Sequence, residues 1–264
     1  MTEGELASVI TRIDDALRHT ASIFSRFTPG EVEAVKKAGG DPLTEADEAV
    51  DKALYELLPR GDEAWLSEES TDDLARLNAS KVWVVDPLDG TKEFVLGIPE
   101  WCVSVGYVVD GVPVAGGIFN PQTDEVIVGG KGHGVRYNGT PASMSERTTL
   151  EGATVLGSRS ESKRGEWDLF DGASFEIKPM GSVAYKLGLV ACGKADATWT
   201  VVPKNEWDVA AGVALVLAQQ GEAYEPDGTP RRFNSRDPLM TGLVAHPRGL
   251  GDDVRGAVAQ HLAS

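Results

Sequence analysis

The stretch Val82-Trp83-Val84-Val85-Asp86-Pro87-Leu88-Asp89-Gly90-Thr91-Lys92-Glu93-Phe94 decides how the rest of the chain is read. Its first four residues are apolar and largely β-branched, which predicts a buried strand. That strand delivers Asp86 and Asp89 together at its end. Pro87, between them, has no N–H for a sheet ladder and stiffens the backbone. Gly90 permits a close turn, and residues 91–96 can then open a short helix whose first N–H groups lack intrahelical partners. Two hard oxygen ligands beside such a helix start suit a divalent cation that holds a phosphate.

Three other acidic stretches lie far from this one. In Thr44-Glu45-Ala46-Asp47 the threonine caps a helix with apolar residues at Ala46, Val50, Ala53, Leu54 and Leu57. Taken alone, Asp47 is the acidic member of a capping box. In Leu66-Ser67-Glu68-Glu69-Ser70 the adjacent acids would ordinarily be solvated loop residues. On a strand they point apart, so that one could bind a metal while its neighbour serves the ligand shell around it. Trp207-Asp208-Val209-Ala210-Ala211-Gly212 opens a helix, where a lone aspartate is favoured by the macrodipole. The small residues after it would let that helix pack closely and bring the carboxylate to the first motif.

Asp86-Pro87-Leu88-Asp89-Gly90-Thr91 resembles the D-P-x-D-G-T motif of the inositol monophosphatase family. These are metal-dependent, lithium-sensitive phosphatases, and they include 3′(2′),5′-bisphosphate nucleotidases and some fructose bisphosphatases. Residues 207–212 resemble the family's W-D-x-A-A/G motif, residues 66–70 its acidic pair, and residues 44–47 its T-x-A-D element. The four motifs keep the family's order and span nearly the whole chain. The resemblance implies a layered αβαβα sugar-phosphatase fold. It also implies a cluster of Glu68, Asp86, the Leu88 carbonyl, Asp89 and Asp208 holding two or three Mg2+ ions, with Li+ inhibitory. Magnesium suits an all-oxygen, carboxylate-rich site that retains water. By the same resemblance Glu69 assists Glu68, and the Thr91 hydroxyl and Asp47 position or deprotonate the attacking water. The Gly90 and Thr91 N–H groups would hold phosphate oxygens.

Substrate choice is expected at residues 157–160, Gly-Ser-Arg-Ser, and at residues 181–186, Gly-Ser-Val-Ala-Tyr-Lys. Residues 66–69, 89–94 and 158–160 look closest to the bisphosphate nucleotidase branch, and Lys186 before Leu189-Val190-Ala191 matches its K-x-x-L-V-A pattern. That likeness implies hydrolysis of 3′-phosphoadenosine 5′-phosphate to the nucleoside 5′-phosphate. Ser158, Arg159, Gly181, Ser182 and Lys186 would then bind substrate, Lys186 by its charge. A helix-surface lysine is the plain alternative. Two departures stand against a narrow assignment. Thr200 occupies the position of the nucleotidases' phosphate-binding arginine, and no glutamate precedes Pro203 where inositol-specific enzymes place a hydroxyl-binding one. Inositol monophosphate and fructose bisphosphate therefore remain alternative substrates. Two further readings are a regulatory, protein-binding member of the family and a calcium-binding structural domain. The second would crowd its acids into one short loop, whereas these are dispersed.

Composition sets bounds on partners and place. The 264 residues include 41% hydrophobic and 25% charged side chains, ordinary for a soluble globular protein with a large core. The net charge of −16 argues against binding a nucleic-acid polymer. A small phosphorylated substrate remains compatible, because bound cations reverse the local field. Cys102 and Cys192 lie in apolar segments and read as buried thiols. Met1-Thr2-Glu3-Gly4-Glu5 lacks the basic and apolar regions of a signal peptide, and no apolar run reaches membrane length. A cytoplasmic protein without membrane contact is expected, and the resemblance is compatible with a homodimer.

The rest of the chain divides near residue 147. An amphipathic helix over residues 6–18 and a second helix before Gly39-Gly40-Asp41-Pro42 lead into the helix capped by Thr44. Short apolar runs between 102 and 137, separated by Asp110-Gly111 and similar turns, predict an antiparallel meander with His133 at its surface. Residues 1–147 thus read as an α+β domain carrying most of the metal ligands. Residues 148–264 read as an α/β domain carrying substrate-recognition residues and Asp208. There, helices are expected at 161–170, 182–192, 206–220 and 251–262, and strands near 154–157, 174–177, 195–200 and 239–245.

Overall fold

The computed structural model describes residues 1–32, 34–36 and 42–263. Helix α1 (Glu3–Phe24) starts at a capping box between Thr2 and Glu5 and buries Leu6, Val9, Ile13 and Leu17 along one stripe. Among the described residues no helix follows before Thr44. Strand β1 (Val35–Lys36) pairs antiparallel with β2 (Pro42–Leu43) where a second helix was expected. The segment between Pro29-Gly30 and Gly39-Gly40 is too short to be a stable helix without tertiary support. Residues 39–41 of the expected loop lie outside the described residues. Helix α2 (Glu45–Leu57) is capped by Thr44.

The first sheet comprises β3 (Ala64–Ser67), β4 (Lys81–Asp89), β5 (Cys102–Val109), β6 (Val112–Asn120), β7 (Glu125–Gly130), β8 (Gly134–Tyr137) and β9 (Thr140–Ala142), in that spatial order. Helix α3 (Thr91–Val95) leaves the end of β4. β3 runs parallel to β4, and the remaining neighbours are antiparallel, so the expected meander is present.

Along β4 the side chains alternate between two cores. Trp83 and Val85 pack with Ile13, Leu17, Val50 and Leu54 of α1 and α2. Val82 and Val84 face the opposite layer. Asp86 and Asp89, three apart, would fall on opposite faces of a regular strand. The pairing, however, shifts between Asp86↔Ser104 and Asp89↔Cys102, so β4 carries one extra residue there. A bulge of this kind resets the alternation and re-aims side chains. Pro87, which cannot join the ladder, sits inside it.

The second half contributes β10 (Thr154–Ser158), α4 (Arg159–Lys163), β11 (Glu176–Met180), α5 (Val183–Ala191), β12 (Ala197–Thr200), β13 (Lys204–Asn205) and α6 (Glu206–Ala218). It closes with β14 (Glu222–Tyr224), β15 (Leu239–Met240), β16 (Leu243–His246) and α7 (Gly251–Ala263). Five of these strands form a mixed sheet in the order β11-β10-β12-β16-β14. The helix expected over 161–170 is shorter: Gly165 turns at φ +81, leaving α4 and a 3₁₀ turn at Asp168–Phe170. The strand expected over 239–245 is divided at Gly242 (φ +153), with β15 pairing instead with β13.

One core cluster joins Val82, Val84 and Ile118 of the first sheet, Leu187, Val190 and Val213 of α5 and α6, and Leu156 and Ala245 of the second sheet. It draws on residues from both sides of position 147. Val155, Trp199 and Val244 face the other way, onto Val254 and Val258 of α7. The layers are therefore α1/α2, sheet, α5/α6, sheet, α7, the αβαβα order expected. α6 lies close to the first sheet and to α5. A Cβ on Gly116 would stand 2.3 Å from the Ala211 carbonyl oxygen, and one on Gly212 would stand 2.3 Å from Leu187 Cβ.

Candidate active site

A cavity of about 350 Å³ opens where the end of β4 meets the starts of α4, α5 and α6. Glu68, Asp86, Leu88, Asp89, Gly90, Thr91, Ser158, Arg159, Gly181, Ser182, Lys186 and Asp208 all line it. Of the residues expected at a site, Asp47 and Glu69 are not in its wall. Asp47 is fully buried and reaches the site through Thr91, whose Oγ1 lies 3.2 Å from Asp47 Oδ1 and 2.9 Å from the Leu88 carbonyl. Glu69 is half-buried beside Ser67.

Two aspartates serve helix and cavity together. Asp47 Oδ2 accepts from the Thr44 N–H at 2.8 Å and the Thr44 hydroxyl at 2.5 Å, closing the capping box of α2 while Oδ1 turns to Thr91. Asp208 is likewise the acidic member of a capping box: its Oδ2 accepts from Asn205 N at 2.8 Å, and it also lines the cavity. The capping and active-site readings of these motifs are compatible, because a carboxylate has two oxygens.

Gly90 starts α3 at φ +95, and a Cβ there would meet the Glu100 carbonyl oxygen at 2.9 Å. Only glycine accepts both conditions. Ser182 is the opposite case, a side-chain-bearing residue at φ +53. Its Oγ donates to Asp89 Oδ2 at 2.7 Å and accepts from Tyr185 N at 3.0 Å, which fixes the strained turn. Asp89 Oδ2 also accepts from Ala184 N at 2.6 Å. Ser182, expected at the substrate, thus orients a carboxylate.

Arg159, expected at the substrate, lines the cavity with its guanidinium already engaged by a carboxylate. Its Nε and Nη2 grip Glu100 at 3.0 and 2.5 Å, and Glu100 Oε2 in turn accepts from Gly181 N at 2.7 Å. The pair ties the start of α4 to the 181–186 turn. Lys186 is 3% exposed, not a surface lysine, with Nζ donating to the Met180 carbonyl at 3.2 Å. Burial drives its ammonium down to about 8, against the attraction of Asp89. Lys204 and Glu161 also line the cavity. No motif marked them, for one sits in a two-residue strand and the other in a five-residue helix.

The acids repel one another. Burial first, then Glu68, Asp89 and Asp208, push Asp86 well above the usual carboxylate range. Withdrawal from water and the charge of Asp89 push Asp208 up to about 8. Asp89 is raised by burial, although Ser182, Ala184 and Lys186 oppose the rise. A divalent cation among them would oppose these shifts. Among the described residues no three His, Cys, Asp or Glu side chains are gathered into a finished metal cage. Each aspartate instead has one oxygen tied to the protein, Asp86 Oδ1 to Leu88 N at 2.9 Å and the other two as above, and one oxygen available. An all-oxygen set of this kind fits a hard divalent cation. Both cysteines are buried free thiols, and His133 is exposed. Among the described residues no helix is long and apolar enough to cross a membrane.

Comparison with known proteins bears on the fold and the family. An inositol-1-monophosphatase of Synechocystis is 30% identical over 86% of this chain and 81% of its own length. The Thermotoga maritima IMPase superposes with a TM-score of 0.82 at 25% identity, covering 98% of both chains. An IMPase/NADP phosphatase solved with Mg2+ and phosphate shares the fold, with a TM-score of 0.80 at 19% identity over 96% of this chain and 95% of its own. Residues 6–261 match the Inositol monophosphatase family, and the chain therefore belongs to that family of metal-dependent phosphomonoester hydrolases.

Proposed function

We propose that the protein is a Mg2+-dependent phosphatase whose preferred substrate is a 3′(2′),5′-bisphosphate nucleotide such as 3′-phosphoadenosine 5′-phosphate. The reading rests on one observation: a single cavity collects the acids of a cation site and the ammonium groups of Lys186 and Lys204, which act on each other's charge. Glu68, Asp86, the Leu88 carbonyl, Asp89 and Asp208 would hold the magnesium, which would supply charge neutralisation at the phosphate and acidify a water.

The chain's own residues then have defined tasks. Asp47 is fixed by Thr44, so its Oδ1 is a rigid acceptor for the Thr91 hydroxyl. Donating its hydroxyl hydrogen bond to Asp47 Oδ1, Thr91 Oγ1 presents lone pairs to a water and orients it toward phosphorus. The Gly90 and Thr91 N–H groups at the start of α3 face the non-bridging oxygens. Lys186 and Lys204 take a second phosphate as point charges. No cysteine or histidine nucleophile is needed.

The test is a panel of 3′-phosphoadenosine 5′-phosphate, inositol 1-phosphate and fructose 1,6-bisphosphate across a magnesium titration. The bisphosphate nucleotide should have the highest kcat/KM. Lys186→Met should erase that preference, a charge-assisted contact being worth roughly tenfold to a hundredfold. A better rate on inositol phosphate, the reading favoured by the name of the Synechocystis relative, removes the nucleotidase assignment. Full activity after chelation removes the metal assignment. Phosphate release itself separates the enzyme from a purely regulatory family member.

A further inference from the structure

Glu161 lies on α4 outside every motif used so far. Its residue is 1% exposed, yet it lines the same cavity as Asp89 and Lys186. Ser158 Oγ, the cap of α4, accepts from its N–H at 3.4 Å and sets its place on the first turn. Its Oε1 accepts from the Thr200 hydroxyl at 2.5 Å. Its Oε2 is buried without any hydrogen-bond partner. Roughly nine in ten buried polar groups have one, so an orphaned carboxylate oxygen on a residue of the cavity wall calls for a donor. The neighbouring cations do not supply it. Lys186 Nζ donates to Met180, and the Arg164 guanidinium is paired with Glu166.

We infer that Glu161, oriented by Thr200, is a specificity-determining residue whose Oε2 accepts a hydrogen bond from a substrate hydroxyl. The inference rests on the phosphatase reading and narrows its substrate class to phosphomonoesters of polyhydroxylated rings, a cyclitol or a ribose. The surrounding charges select this donor. A phosphate dianion has no proton to donate to Oε2 and is drawn instead to Lys186 and Lys204, while a further cationic group would be repelled by Lys186, Lys204 and Arg164. A neutral O–H is compatible with both. The segment before Pro203 carries no glutamate of its own, and Glu161 brings a carboxylate to Thr200 from 39 positions upstream.

Two matched substrate pairs test this: inositol 1-phosphate against cyclohexyl phosphate, and 3′-phosphoadenosine 5′-phosphate against its 2′-deoxy form. Wild type should favour the hydroxylated member of at least one pair by about tenfold or more in kcat/KM, equal to about 1.4 kcal/mol. The responding pair tells a cyclitol from a ribose. Glu161→Gln should collapse the ratio, mainly through KM, and Thr200→Ser, which keeps the hydroxyl on Oε1, should preserve it. If Glu161→Gln does not fold, Glu161→Asp, with its carboxylate drawn back by one methylene, should collapse the ratio equally. Equal wild-type rates within both pairs would overturn the inference. So would a variant that slows hydroxylated and hydroxyl-free esters by the same factor, the mark of a structural role. Absence of phosphate release from wild type on all four esters overturns the phosphatase reading and this inference with it.

Discussion

Gly116→Ala should damage the site from a distance, through packing alone. Gly116 lies on β6 beneath α6, and an added Cβ would stand 2.3 Å from the Ala211 carbonyl oxygen, 2.8 Å from Ala211 Cα and 2.9 Å from Ala211 C. Ordinary van der Waals contact begins at 3.4 Å, so the shortfall at the oxygen is about 1 Å. All three atoms are backbone or Cα atoms of a helix, and no side chain can rotate to relieve the overlap. The helix must shift, and overpacking of this kind costs about 1–3 kcal/mol. At about 2–4 °C per kcal/mol, the melting temperature should fall by roughly 2–12 °C. Asp208 stands one turn before Ala211, so the same shift moves a carboxylate of the cavity. Misplacement by about 1 Å can lower turnover by about 10²-fold. The assay pairs thermal unfolding with kcat at saturating magnesium. Gly256→Ala is the control, since nothing lies within 4 Å of its added Cβ in α7. It should gain about 0.5–1 kcal/mol from helix propensity. An unchanged melting temperature and kcat in Gly116→Ala would refute the reasoning.

What could be read from the sequence, and what could not, follows from how far each signal extends along the chain. Asp86, Asp89, Glu68 and Asp208 sit in short motifs whose neighbours also have structural tasks: Pro87 at the bulge, Gly90 at φ +95, and Ala211 and Gly212 at a close helix contact. Local constraint makes such a motif conspicuous. The layer order was legible only through the family resemblance those motifs carry, since a strand buried on both faces, such as β4 with Trp83 in one core and Val84 in the other, shows no alternation in its sequence. The capping-box and active-site readings of Asp47 looked like rivals because a sequence does not show that one carboxylate can face two ways. The pairing of Arg159 was not legible, because its partner, Glu100, is 59 residues away and nothing in either segment announces the pair. Glu161 was passed over for the same cause, as its meeting with Thr200 is purely tertiary. The short helices and strands near 161–170 and 239–245 failed where one glycine outweighs the periodicity around it.

Three further outcomes follow. Asp86→Asn should reduce turnover by orders of magnitude while raising the melting temperature of chelator-treated protein, because it removes one of four mutually repelling carboxylates; near-normal activity at saturating magnesium would contradict its role. Thr91→Ala should lower kcat by roughly 10²–10⁴-fold with little change in KM, since its link to Asp47 acts in the transition state; a change confined to KM would make Thr91 a binding residue. The last outcome concerns acid stability at Glu63, far from the cavity. Its Oε1 accepts from Arg12 Nη2 and Tyr107 Oη, both at 2.8 Å, and its Oε2 from Trp83 Nε1 at 2.9 Å. Burial acts to raise its pKa, but these three donors together outweigh it and hold the carboxyl below its ordinary 4.5. A carboxyl with a lowered folded-state pKa stabilises the fold above that ordinary value, and the contribution is lost as pH falls through it. Glu63→Gln removes the titration. The gap in melting temperature between wild type and variant should therefore be widest at neutral pH and close progressively below about pH 4.5. A gap that stays constant down to pH 3 would show that Glu63 acts through shape and packing, with no part played by its charge.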